Sequence, residues 1–368
     1  MTILLREHRI PHLATFCQHL SQTPTHPMNE TDRPSTDALA ESLLDWLAID
    51  STTGRESEFL ERLEAFFRGR GYEIRRQAVA ENRWNLVATA SDNPSLLYST
   101  HVDTVPPHLA ARREGDTVYG RGACDTKGGL LAMTEAARRL RADGFEDLGF
   151  LLVVGEEVDH IGAKKARQLD LTPDRIVLCE PTQNRVVTGQ KGMVKAELTA
   201  HGKAAHSAYP ERGISAVHRL LDALERIRGV DWPTDPILGQ TTLNVGEIEG
   251  GVAANVMAPS ANAVLLFRAV SPSKGLIERL RNAAGDDTDV EVVAHNDPVR
   301  FDVPDDLDTC TVAFNTDASY LQALGPVWLV GPGDIQVAHS DDERIDLGEL
   351  EEGIRVYEDL GRRSLDGS

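Results

Sequence analysis

The stretch GFLLVVGEEVD, residues 149–159, is an apolar run that stops abruptly on two adjacent carboxylates. A short apolar run bounded by glycines reads as a buried strand. Glu156 and Glu157 therefore stand at a strand end. Upstream, the spacing of apolar residues predicts a helix from about Thr126 to Leu140, with Gly128 and Gly129 in its first turn. Downstream, a helix over Ala163–Leu169 leads to the strand RIVLC, residues 175–179, which ends on Glu180-Pro181. Earlier still, YEIRRQAVA (72–80), NLVATA (85–90) and SLLYSTHVD (95–103) read as strands, the last ending in a polar cluster at His101. Ser35 or Thr36 caps a helix carrying Leu39, Leu43, Leu44 and Leu47, and Phe59, Leu63 and Phe66 mark a second helix. Strands alternating with helices imply an α/β sheet covered on both faces. Such sheets bind ligands beyond the ends of their strands.

After Gly192 the rhythm changes. MVKAELTAHG (193–202) alternates like a half-exposed strand, and ISAVHRLLDALERIRG (214–229) is an amphipathic helix. TTLNVGEIEGG (241–251), ANAVLLFRAV (261–270) and VEVVAH (290–295) read as strands, with a helix over residues 274–284. This predicts an inserted α+β domain over residues 192–297, compact enough to fold as a unit. The first domain, residues 31–191, then resumes at 298–368 through VWLVGPG (327–333) and a final helix near Leu347–Leu360. Residues 1–30 read as a disordered extension, with Met28 as an alternative start.

The chain has 368 residues, of which 41 % are hydrophobic and 26 % charged, and a net charge of −20. That sign argues against nucleic acid, which requires a basic surface, and against an anionic membrane. No apolar run reaches transmembrane length. The few lysines and the acidic excess suit high salt, where screening relieves self-repulsion. Cys17, Cys124, Cys179 and Cys310 lack CxxC spacing, which points to reduced thiols in a cytoplasmic protein rather than to a disulfide framework.

The chemistry-bearing residues are individually ordinary. In STHVDTVP (99–106), His101 and Asp103 lie two apart and share a face. A ligating imidazole usually donates its other N–H to an acceptor, and Asp103 is a candidate. In GRGACDTKGG (120–129), Asp125 precedes a helix, where Asp is commonly an N-cap. It is also placed to bridge two cations. Glu156 and Glu157 are unfavourable together in a cleft unless a cation neutralises them. One can then ligate while the other takes a proton from water. Glu180, and His339 in GPGDIQVAH (331–339), complete the set. The argument lies in their order, each element following a predicted strand. Together they offer two oxygen- and nitrogen-rich sites that suit Zn²⁺, with Co²⁺ or Mn²⁺ as alternatives.

This ordered set resembles the M20 family of metallopeptidases and deacylases, from about Ser35 onward. The resemblance implies a zinc-peptidase-like α/β catalytic domain with a mixed central sheet flanked by helices, plus an inserted lid and dimerisation domain. It implies two Zn²⁺ ions, one held by His101, Asp125 and Glu180, the other by Asp125, Glu157 and His339. Glu156 would be the general base and Asp103 would orient His101. In the insert, His206 of HGKAAHSAYP (201–210) matches a histidine that stabilises the oxyanion, often across a homodimer interface. Asn255 of GGVAANVMAP (250–259) and Arg268 of LLFRAV (265–270) match substrate-contacting positions, the arginine being suited to a carboxylate. His108, His160, His218 and His295 carry no motif. FNTDASYL (314–321) lacks the glycine-rich run of succinyl-diaminopimelate desuccinylases and is more similar to the acetylornithine and acetylcitrulline deacetylase branch. The expected activity is therefore hydrolysis of an N-acyl-amino acid in arginine biosynthesis. A dipeptidase or carboxypeptidase, a desuccinylase and a non-catalytic metal-binding homologue are the alternatives.

Overall fold

The computed structural model describes residues 33–367, so the expectations for residues 1–30, for Met28 and for Cys17 lie outside the described residues. The described chain divides into two compact units. One takes the residues up to Val186 and from Tyr320 onward, and the other is Val187–Ser319.

The first unit is built on a six-stranded sheet in the order Glu73–Ala80, Arg83–Thr89, Leu148–Val153, Leu96–His101, Arg175–Leu178, Val327–Leu329. The last four strands run parallel; Arg83–Thr89 joins them antiparallel at one edge, and Glu73–Ala80 pairs antiparallel with Arg83–Thr89. The three parallel strands Leu96–His101, Leu148–Val153 and Val327–Leu329 are buried along their whole length. This explains their continuous apolar character, because a parallel strand is covered on both faces. The helices Thr36–Leu47, Ser57–Arg68, Lys127–Ala142 and Leu347–Leu365 supply that cover. Ser35 caps the first, its Oγ accepting from Ala38 N at 3.2 Å. Asp346 caps the last, its Oδ1 accepting from Gly348 N at 2.8 Å.

Two glycines decide how closely the helix Lys127–Ala142 approaches the sheet. A Cβ on Gly128 would lie 2.3 Å from the Ala123 carbonyl, and one on Gly129 would lie 2.0 Å from Cys179 Sγ. Only a bare backbone fits there, and the fit brings the Asp125 turn beside the strand end that carries Glu180.

The second unit has a four-stranded antiparallel sheet in the order Thr242–Gly250, Ser260–Ala269, Gly192–His201, Thr288–Asn296. Burial alternates along Gly192–His201, so one face is packed and the other is open. The helices Ala216–Arg228 and Ser273–Ala284 pack on the buried face, their Leu220, Leu224, Ile227, Leu276 and Leu280 meeting Val194, Leu198, Leu265 and Phe267. The second compact unit runs on to Ser319. Val299–Arg300 pairs with Gly189 and Gln190, and Thr309–Val312 joins the same small sheet. These short strands carry too little periodicity to be read from sequence. Among the described residues no helix is long and apolar enough to cross a membrane.

Candidate metal centre

The parallel strands of the first unit all point the same way, so the segments that leave them converge. His101 is the last residue of its strand, Glu156 and Glu157 follow Val153, Glu180 follows Leu178, and His339 lies on the segment after Leu329. Asp125 enters from the turn before the helix Lys127–Ala142.

Asp125 is the centre of the cluster. Its Oδ1 lies 3.0 Å from His101 Nε2, and its Oδ2 lies 3.2 Å from His339 Nε2. His339 Nε2 also lies 3.0 Å from Glu157 Oε2. Two groups result, His101 with Asp125 and Glu180, and Asp125 with Glu157 and His339, each with donor atoms within 4.8 Å of one another. All five residues expected from the sequence as ligands are thus brought together. His101, Asp125 and Glu180 are buried, whereas His339 is exposed along one side.

Without a cation, protons must balance these carboxylates. Hydrogen bonds that His339 donates to the carboxylates of Asp125 and Glu157 push its pKa up to about 10. Burial would lower the pKa of His101, but the nearby Asp103 carboxylate and the hydrogen bond His101 donates to Asp125 raise it well above the ordinary range. Burial works against ionisation of Asp125, yet the two imidazoles hold it well below the usual carboxylate range. Glu157 is raised by burial and by the Asp125 charge. Opposite charges at this spacing stabilise each other's ionised forms. Metal binding to such a cluster displaces the protons.

The residues fit a pair of divalent cations. Glu157 Oε1 is buried and has no hydrogen-bond partner, an arrangement that is costly for a carboxylate unless something else meets it. Asp125 presents a different oxygen to each imidazole, which is the geometry of a shared carboxylate. The donors are imidazole nitrogen and carboxylate oxygen alone, a set suited to Zn²⁺, Co²⁺ or Mn²⁺. Cys124 and Cys179 are buried and form no disulfide, and burial pushes both thiols up, so they are inert packing groups.

Asp103 acts differently from the expected carboxylate–imidazole contact. His101 Nδ1 meets the Asp103 backbone carbonyl at 2.9 Å, while the Asp103 carboxylate stands 3.7 Å away. That carboxylate instead accepts from Glu156 N at 3.1 Å, Glu157 N at 3.3 Å and Thr53 Oγ1 at 2.8 Å. One residue thereby ties the His101 strand end to the Glu156-Glu157 strand end.

The sequence reading passed over several residues here. His160 Nδ1 lies 3.4 Å from Glu156 Oε1 and sits in the left-handed region at φ 56°. His339 has φ 62°, a conformation that non-glycine residues hold only when their surroundings require it. Arg121 and Glu343 form a buried pair behind Asp125. Nothing in HSDDER (339–344) separates Glu343 from an ordinary acidic surface run.

His206, Asn255 and Arg268 lie in the second unit. Ser207 N donates to the Asn255 carbonyl at 2.9 Å and His206 bridges Val256, so the two loops are neighbours. His206 and Asn255 are exposed, and Arg268 is half-buried on the strand Ser260–Ala269.

The sequence profile of peptidase family M20/M25/M40 matches residues 97–363, which include every residue of this cluster. The chain is a member of that family. Among its M20 relatives, a peptidase M20 domain-containing protein of Schizosaccharomyces pombe is 35% identical over 326 residues, covering 84% of this chain and 80% of the relative. A probable carboxypeptidase of Aspergillus flavus is 33% identical over 371 residues, covering 87% and 86%. Among solved structures, the aminopeptidase PepT of Bacillus cereus superposes with a TM-score of 0.75 at 22% identity, covering 90% of this chain and 99% of that one. An M20 family metallo-carboxypeptidase of Sulfolobus solfataricus gives 0.70 at 18% identity, covering 92% and 99%. At these identities the structural matches establish the fold. The family assignment establishes an M20 metallopeptidase-type hydrolase, with which a small, peptide-like substrate is consistent.

Proposed function

We propose that this M20 hydrolase cleaves the amide bond that joins an acyl or peptidyl group to an amino acid with a free carboxylate. The observation that carries the reading is the position of Asp125 between His101 and His339, with Glu157 and Glu180 completing two ligand groups. His101, Asp125 and Glu180 would hold one Zn²⁺, and Asp125, Glu157 and His339 the other. Such a pair supplies Lewis-acid polarisation of a carbonyl and acidification of water.

The remaining chemistry belongs to the chain. Glu156 takes a proton from the attacking water and delivers it to the leaving amine, so the acyl group gains the hydroxyl and the amine gains the hydrogen. Asp103 fixes the Glu156 backbone for that task. By family resemblance, His206 donates to the oxyanion, Asn255 contacts substrate, and the Arg268 guanidinium pairs with the substrate carboxylate. Homodimerisation through the second unit belongs to the same reading. It is supported by the exposed Ile248 on an outer strand of its sheet and by Val252 just beyond. A cytoplasmic location is part of the same proposal, supported by Cys124, Cys179 and Cys310, which form no disulfide among the described residues.

Two narrower forms have separate support. The name of the Aspergillus flavus relative, a probable carboxypeptidase, favours carboxypeptidase action. The run FNTDASYL (314–321) favours deacylation of N-acetylornithine, N-acetylcitrulline or a succinyl equivalent. A panel of N-acetyl- and N-succinyl-ornithine, -citrulline, -lysine and -diaminopimelate beside dipeptides separates them. Hydrolysis of none by the Zn²⁺- or Co²⁺-loaded protein would reject both narrower forms.

A further inference from the structure

Arg121 is a fully buried side chain at 1% exposure, one residue before the Gly122–Asp125 turn. Burial of a guanidinium this complete requires a partner that answers both its charge and its fork. Glu343, also 1% exposed, is that partner, with Oε2 accepting from Arg121 Nη1 at 2.5 Å. The other oxygen of Glu343 does something else. Oε1 accepts from Gly122 N at 2.9 Å and from Asp125 N at 3.2 Å. Arg121 in turn donates from Nη1 to the Ser340 carbonyl at 3.2 Å and from Nε to the Pro107 carbonyl at 3.3 Å. Ser340 is the residue after His339, and Gly120 N donates to the Glu343 carbonyl at 3.0 Å. The pair thus grips the peptide of Asp125 on one side and the segment that carries His339 on the other.

We infer that Arg121 and Glu343 are positioning residues that set the spacing between Asp125 and His339, and through it the affinity of the metal group those two residues share. The inference rests on the proposed ligand roles of Asp125 and His339. It assigns neither residue a contact with metal or substrate. Only a carboxylate meets both demands at this point, because one oxygen must face two backbone N–H groups while the other faces a guanidinium. An amide in its place sets a donor against a donor on one side or the other, whichever way it is turned.

The test is titration of the metal-stripped full chain with Zn²⁺ and with Co²⁺. Affinity and stoichiometry are read by calorimetry, and Co²⁺ coordination by its visible absorption. Glu343→Gln is expected to weaken metal binding by about tenfold or more, the usual effect of losing a group that holds a ligand in place. The Arg121→Met/Glu343→Gln double variant removes the donor–donor conflict and is expected to recover a substantial part of that loss. Glu64→Gln serves as the structural control. It disrupts another ion pair of the same unit, between the buried Glu64 and the half-exposed Arg76 at 2.5 Å, and should lower the melting temperature without changing metal affinity. Folded Glu343→Gln with wild-type affinity and an unchanged Co²⁺ spectrum overturns the proposal, as does an equal loss of affinity in Glu64→Gln. Should Glu343→Gln not fold, Arg121→Lys is titrated instead and read by the same criteria. A wild-type chain that binds neither metal overturns the ligand assignment itself, an outcome distinct from failure of the Arg121–Glu343 tie.

Discussion

His339 Nε2 lies 3.2 Å from Asp125 Oδ2, and on the other side of the same carboxylate His101 Nε2 lies 3.0 Å from Oδ1. Two imidazoles from distant parts of the chain converge on one aspartate, so the two candidate metal groups are not independent. Replacing Asp125 with Ala is expected to remove most of the bound metal and to lower kcat/KM by about 10³-fold, or about 4 kcal/mol of transition-state stabilisation. Metal analysis of the dialysed variant checks it. Retention of both ions would show that Asp125 is not shared.

Glu156 is expected to behave in the opposite way. It belongs to neither ligand group formed around Asp125. Glu156→Gln should bind metal like the wild type while kcat falls by about 10²–10⁴-fold, the range expected on losing a general base. Parallel metal titration and turnover assays separate the two effects. Activity near wild type would remove Glu156 from its role.

The approach of Gly129 to Cys179 can be tested on stability. A Cβ on Gly129 would lie 2.0 Å from Cys179 Sγ but 3.5 Å from Cys179 Cβ, so the conflict is with the sulfur alone. Gly129→Ala is expected to cost about 1–3 kcal/mol, as overpacking of a dense core does. Adding Cys179→Ala should recover most of that loss. Chemical denaturation of the two variants measures it, and additive losses would contradict the contact.

Tyr72 gives a signed alkaline prediction. Burial pushes its hydroxyl up to about 12 from 10.0, so the folded state disfavours the phenolate. The native advantage of the neutral form is intact below pH 10 and is lost as pH rises toward 12, by about 3 kcal/mol at most. Melting curves of wild type and Tyr72→Phe between pH 9 and pH 12 should diverge in favour of the phenylalanine variant as pH increases. Parallel curves would reject the assignment.

A net charge of −20 predicts a stability that depends on salt. Screening at roughly 1 M salt shortens electrostatic reach to about 3 Å and relieves self-repulsion. The melting temperature should rise from low to high salt in NaCl and KCl alike. A flat response would mean that ion pairs such as Arg363–Asp359 and Arg362–Glu358 already balance the surface.

Much of this architecture was legible along the chain. The fully buried runs 96–101 and 148–153 had to be interior strands, and polar residues at their ends marked a ligand edge. The order His101, Asp125, Glu156-Glu157, Glu180, His339 carried the family resemblance, because each residue sits at a local boundary that apolar periodicity reveals. What only the tertiary structure decided depends on register and crossing between distant segments. That Asp103 clamps the Glu156 and Glu157 amides, and meets His101 through its backbone carbonyl, follows from Leu96–His101 lying beside Leu148–Val153 in parallel register. That Glu343 is buried against Arg121 follows from the strand Arg344–Asp346 pairing with Thr117–Tyr119. Hydrophobic spacing is a local signal and names the elements. The partner a charge finds across the sheet is fixed by strand order, which no local pattern encodes.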